Sequence, residues 1–215
     1  MTHFAIAGVQ THISIRSNIE HLKQKVELLM YLYPWTQMVV FSELCAYGPI
    51  HSKAEEMEGA YETACQEIAQ KHNLWLVPGS YFEKQGELIY NTAPVINPAG
   101  EIITRYRKMF PFTPYEKGVT PGKEFCVFDV PEVGRFGVHI CYDVWFPEVT
   151  RTLTSMGAEV ILSPVMANFI DRDMDLGTAR TGHDLVVPGP TRALALGRLD
   201  HGRQAAGPEL AHDLV

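Results

Sequence analysis

No stretch of this chain is apolar and uncharged over the roughly 18 residues that a membrane-spanning helix needs. The opening "MTHFAIAGVQ" has no basic segment leading into a long apolar one, so no targeting signal is expected there. Basic charge is also scarce. Lys and Arg number 18 against 25 Asp and Glu, a formal net charge of -7, and an acidic chain attracts neither a phosphate backbone nor an anionic lipid surface. Cysteine is scarce too. Cys45, Cys65, Cys126 and Cys141 are widely scattered, without C-x-x-C spacing, which excludes a dense disulfide framework and points to free thiols in a cytosolic protein. Nine histidines occur without H-E-x-x-H or equivalent spacing. A zinc site is therefore disfavoured, and neither a metal nor another cofactor is expected. Small molecules or protein remain as partners, with no nucleic acid and no membrane.

A second shortage is local. From Arg172 to Val215 there is no Phe, Tyr, Trp, Ile, Lys, Asn, Ser or Cys, while Gly, Ala, Arg and Pro supply 20 of 44 residues. Such a segment buries little. Phe, Tyr, Ile, Lys and Asn have AT-rich codons, so one reading is a GC-rich gene read out of frame from about residue 176. The other is a divergent, flexible extension. Either way the chain divides into a domain over 1–171 and a low-aromatic tail over 172–215.

What is present before the tail is a sequence that can fold. At 46% hydrophobic and 20% charged residues, one globular domain with a sizeable core is expected. "HFAIAGVQ" reads as a strand; "SNIE" at 17–20 reads as a capping box before a helix with Ile19, Leu22, Val26, Leu29 and Met30 on one face. "MVVF" at 38–41 is a second strand, about Ala54 to His72 a second helix, and "LWLVPGSYF" a third strand. "LIYNTAPVIN" and "EIITRYRKM" form a hairpin around "NPAG". "EFCVFDV" and "RFGVHICYD" are two more strands. Pro147 suits the first turn of a helix running to about Met156, Gly157 its end, and "EVILSPV" a last strand. The order is α/β, with one or more mixed sheets.

Three stretches place reactive groups where strands end: "FSELCAYG" with Glu43, "YRKMFPF" with Lys108, and "HICYDVWFPE" with Cys141. A thiol attacks only as thiolate, so a catalytic cysteine needs a base or cation nearby. A strand end followed by a helix start also offers backbone N–H groups to a developing anion. Each residue alone has a plainer reading: Cys141 as core packing, Glu43 as a solvated loop carboxylate, Lys108 as a surface charge. Together they supply the base, cation and nucleophile of acyl transfer. A papain-like pair of Cys141 with His139 is disfavoured, because same-face neighbours two apart on a strand stand beyond hydrogen-bond reach. His139 reads better as a sheet residue.

These stretches resemble the nitrilase superfamily of carbon–nitrogen hydrolases over roughly residues 3–171, most specifically in "CYDVWFPE". The resemblance implies an α-β-β-α sandwich, often paired through its outer helices, and hydrolysis of a small amide or N-carbamoyl compound through a cysteine thioester. It assigns Glu43 as base, Lys108 as catalytic lysine and Cys141 as nucleophile. Glu116, eight residues after Lys108, matches a second family glutamate that would orient Lys108 or the substrate; a plain surface carboxylate is the alternative. The Tyr142 N–H would join Lys108 in holding the oxyanion. Trp145 and Phe146 would line the acyl pocket or, alternatively, pack the helix on the sheet. Family members continue past "ILSPVMAN" with a helix and further strands, whereas the tail here lacks that periodicity. The sandwich is therefore expected to be incomplete at its C-terminal end, and an inactive or merely binding version of the same fold is the rival reading.

Overall fold

A computed structural model describes residues 4–11, 13, 17–113 and 116–166, together with the backbone of 192–196. Two sheets lie between helices. The first has the order β1 (Ile6–Val9), β2 (Met38–Phe41), β3 (Trp75–Val77), β5 (Leu88–Ile96), β4 (Tyr81–Gln85), with β6 (Ile102–Arg107) also pairing with β5. The second runs β10 (Arg192–Leu196), β9 (Val160–Pro164), β8 (Gly134–Val138), β7 (Cys126–Val130). Helices α1 (Ile19–Leu32) and α2 (Ala60–His72) cover the first sheet, and α3 (Pro147–Ser155) covers the second.

Strand β2 shows why the layers stack this way. All four of its residues are buried, and successive side chains of a strand point to opposite faces. Val39 and Phe41 join Leu22 and Val26 of α1 and Cys65 and Ile68 of α2 in one core. Met38 and Val40 join Phe128, Phe136, Val138 and Leu162 of the second sheet in another. Each such side chain contributes roughly 1.5–3 kcal/mol on burial. Val149 and Leu153 of α3 close the far side against Ala158 and Ile161. The four-layer α-β-β-α order is the one expected.

Several boundaries differ from the sequence reading. Helix α2 starts at Ala60 rather than Ala54, because Glu55 pairs with the neighbouring sheet: its N–H donates to Phe82 O and its carbonyl accepts Lys84 N–H. A short 3-10 turn over His51–Lys53 precedes it. The capping box at 17–20 does not form. Asn18 is the N-cap, and its amide donates instead to Ala46 O at 3.2 Å. "LWLVPGSYF" is two strands, split at Pro78-Gly79-Ser80, and both are antiparallel to β5. The hairpin between β4 and β5, turning at Gly86 with φ 61°, was not anticipated. Strand β8 ends at Val138, so His139 stands just beyond it, with its N–H donating to Leu162 O at 3.2 Å.

The tail set apart by composition supplies β10, parallel to β9. Whether 172–215 is native or out of frame is a question whose other residues lie outside the described ones.

Candidate active site

The break in the first sheet makes room for the loop after β2. Ser80 Oγ accepts the Leu44 N–H at 2.9 Å, and the Cys45 thiol donates to Pro78 O at 2.9 Å. Gly79 is required here: its φ is 81°, and a Cβ would stand 2.0 Å from Ser42 O. Leu44 itself has φ 50°, a conformation that costs a residue with a side chain on the order of 1–3 kcal/mol. The loop so fixed turns Glu43, 2% exposed, inward.

Alternation along β6 brings the cation to meet it. Tyr106 faces the second sheet, so Lys108, two residues on, projects to the same side. Lys108 is 1% exposed. Its Nζ donates to Glu43 Oε1 at 2.7 Å and to Glu116 Oε2 at 2.6 Å. Burial works against the ammonium, but the Glu43 carboxylate, the Cys141 sulfur and the Glu116 carboxylate outweigh it and hold Lys108 above its ordinary range. Glu116 is therefore no surface carboxylate. It is 3% exposed and also accepts the Phe112 N–H at 2.6 Å.

Cys141 opens a 3-10 turn over Cys141–Trp145 and has φ 45°, again in the left-handed region. It is half-buried, while Cys45, Cys65 and Cys126 are fully buried. Burial pushes its thiol well above the ordinary range, Glu43 beside it pushes further, and Lys108 opposes both. Burial and Glu43 together therefore favour the thiol over the thiolate. Met166, just past β9, ties the two together: its N–H donates to Glu43 Oε2 at 3.1 Å, and its carbonyl lies 4.0 Å from Cys141 Sγ.

Two buried residues of this site escaped the sequence reading. Asn91, on the same face of β5 as Ala93 and Val95, donates both amide hydrogens, to Glu43 Oε1 at 2.9 Å and Glu116 Oε1 at 2.7 Å. Asp143 pins the cysteine turn from beneath: it accepts the Ile140 N–H at 2.9 Å, the Tyr106 hydroxyl at 2.7 Å and the Phe110 N–H at 2.9 Å. Burial raises its carboxyl to about 6 against these hydrogen bonds. A polar residue inside an apolar run, "LIYNTAPVI" and "ICYDVW", was the signal available for both.

The residues expected to bind substrate separate. The Tyr142 ring packs on Phe112 with centroids 5.0 Å apart, and its N–H at the start of the 3-10 turn has no partner among the described residues. Phe146 turns away, stacking on Phe110 at 3.7 Å in the layer beneath α3, which is the packing alternative. Trp145 is 76% exposed, because the 3-10 turn swings it outward. His139 is buried with both ring nitrogens unpartnered among the described residues, and burial lowers it to about 4. Among those residues no group of three or more His, Cys, Asp or Glu is arranged to hold a metal ion, and no helix is long and apolar enough to cross a membrane.

Known proteins share this framework. The family model described as carbon-nitrogen hydrolase matches residues 5–198. The omega-amidase of Homo sapiens is 27% identical over 179 residues, covering 76% of this chain and 64% of its own. A formamidase of Helicobacter acinonychis is 30% identical over 173 residues, covering 74% of this chain and 50% of its own. The chain thus spans less than two thirds of the length of these curated relatives. Among solved structures, a carbon-nitrogen hydrolase from Helicobacter pylori superposes with a TM-score of 0.70 at 30% identity, over 84% of this chain and 65% of that one.

Proposed function

Because this chain belongs to the carbon–nitrogen hydrolase family, we propose that it cleaves the C–N bond of a small amide or N-carbamoyl compound through a thioester on Cys141. The observation that carries the reading is the contact of one buried ammonium with two carboxylates, Lys108 with Glu43 and Glu116, beside a half-buried thiol on a strained turn. The omega-amidase and formamidase among the relatives support an amide as substrate.

Glu43 takes the proton of the Cys141 thiol as sulfur attacks the carbonyl carbon, general-base help of roughly 10²- to 10⁴-fold. Burial and the neighbouring Glu43 disfavour the thiolate, so a base is needed at that step. Lys108 has three N–H donors and spends two on carboxylates. Its third, with the Tyr142 N–H, meets the developing oxyanion; losing one such donor costs about 3–4 kcal/mol. The amine leaves with the proton Glu43 had taken, and the acyl group stays on sulfur. Water then attacks the thioester as Glu43 removes its proton. Acid is released, and the proton returns to the Cys141 thiolate. Glu116 holds Lys108 in place through both half-reactions.

The reading includes a cytosolic location, no metal or other cofactor, and self-association through the helical layer. Exposed Leu28, Tyr31, Leu32 and Trp35 around the end of α1 support the last. Light scattering reads it, and a monomer at every concentration would count against it. The chemistry is tested by ammonia release from a panel of small amides and N-carbamoyl compounds. Release is expected from wild type and none from Cys141→Ala; release that survives the substitution refutes the assignment.

A further inference from the structure

The four-residue cluster holds one cation and two carboxylates, an imbalance that Lys108 alone does not settle. Two carboxylates sharing a buried site repel each other, and their charge opposes a thiolate formed beside them. Glu43 has to stay ionised to act as a base, so something must offset the repulsion. A second cation there would quench the basicity the site depends on. A donor without charge avoids both outcomes.

Resting on the roles assigned above to Cys141, Glu43 and Lys108, we infer that Asn91 is a positioning residue: its uncharged amide clips Glu43 to Glu116 and so sets how readily Glu43 takes the Cys141 proton. The geometry supports this at several atoms. Asn91 Nδ2 reaches Glu43 Oε1 at 2.9 Å and Glu116 Oε1 at 2.7 Å, one amide hydrogen for each. The Asn91 carbonyl accepts the Lys108 N–H at 2.8 Å, so the same residue registers the lysine backbone. Asn91 is fully buried, and its Oδ1 has no partner among the described residues. An amide flipped by 180° would set that oxygen against both carboxylates, so the network fixes its orientation. The charged and titratable groups facing this point are Glu43 from the loop after β2, Lys108 from the end of β6, Glu116 beyond it, and Cys141 and Asp143 from the turn after β8. Asn91 never touches substrate. It acts through Glu43.

Alkylation of Cys141 by iodoacetamide across pH 5 to 10, followed by intact mass, tests this without requiring turnover. The other three cysteines are fully buried, so the folded protein reports on Cys141. Removing the fork leaves the carboxylates more strongly negative toward the thiol. Asn91→Ala is expected to move the alkylation profile up by about one pH unit, or about tenfold slower reaction below the midpoint. Asn91→Asp has the same shape and adds a third carboxylate, so it moves the profile further the same way. It also serves if the alanine variant folds poorly. Thr92→Val is the control: Thr92 is equally buried on the opposite face of β5, with its hydroxyl on Glu83 at 2.6 Å. That change destabilises the fold and leaves the profile where it was. A reactive wild type with unshifted Asn91→Ala and Asn91→Asp profiles overturns the inference alone, as does an equal shift in Thr92→Val. Wild-type Cys141 that stays unalkylated throughout overturns the proposed chemistry and the inference with it.

Discussion

On the outer face of β6, Arg105 and Arg107 each meet one buried carboxylate with a two-pronged fork. Arg105 takes Glu62 through Nε at 2.8 Å and Nη2 at 2.9 Å, and Arg107 takes Glu83 in the same way. On the inner face, just past the strand end, Lys108 meets two carboxylates with one ammonium. The outer pairs are saturated: the Tyr81 hydroxyl completes Glu62, and the Thr92 hydroxyl completes Glu83. The inner site keeps an excess negative charge, a spare N–H on lysine and a thiol. On the function proposed above, the contrast separates charge arranged to hold a sheet together from charge arranged to move a proton. The guanidinium fork suits the first task by its planar geometry, and the compact ammonium suits the second.

Matched substitutions on the two faces put the contrast at most risk. Glu43→Gln is expected to lower turnover about 10²- to 10⁴-fold, while Glu62→Gln leaves it within about twofold and lowers the melting temperature. Steady-state rates and a melt on each variant decide this, and equal losses would erase the distinction. A smaller effect concerns the sign of pH dependence. Burial raises the Asp143 carboxyl to about 6 from an ordinary 3.8, so the folded state binds the extra proton and loses stability as pH rises from about 4 to about 6. The shift is worth about 3 kcal/mol at most. Glu62 runs the other way. Burial opposes its charge, but Arg105 wins and holds it below its ordinary value, so its contribution is lost as pH falls. Urea midpoints from pH 4 to 7 should show wild type losing ground to Asp143→Asn as pH rises, and gaining on Glu62→Gln. The smallest effect is expected for Arg107→Lys, which gives up the fork on Glu83 for about 1 kcal/mol and leaves the Cys141 alkylation profile unmoved.

Much of the scaffold was legible because it follows local rules. "MVVF" reads as a strand buried on both faces since all four residues are apolar, and α1 reads from its period. What escaped depended on contacts distant in sequence. Ala54 to Gly59 has helix-forming composition, yet the Glu55 backbone is claimed by β4. Pro78 looks like an ordinary strand residue until β5 is seen pairing on both sides of it. The candidate site was legible in "SELCAYG", "YRKMFPF", "PYEKG" and "CYDVWFPE" through a resemblance, and the fold brings Glu43, Lys108, Glu116 and Cys141 into one cluster. Asn91 and Asp143 were not, since nothing in a single strand or turn says which buried partner a lone polar side chain will meet. Phe146 and Trp145 are adjacent aromatics of similar character, and only the course of the 3-10 turn sends one inward and the other into solvent.

The central claim, a covalent acyl group on Cys141, is tested most directly by acid-quenching the protein during reaction with a hydrolysed amide and weighing the intact chain. The expected result is a mass increase equal to the amide minus ammonia, carried on the peptide containing Cys141 and absent from Cys141→Ala. Turnover in which no acyl adduct forms, or an adduct that persists in Cys141→Ala, would contradict it.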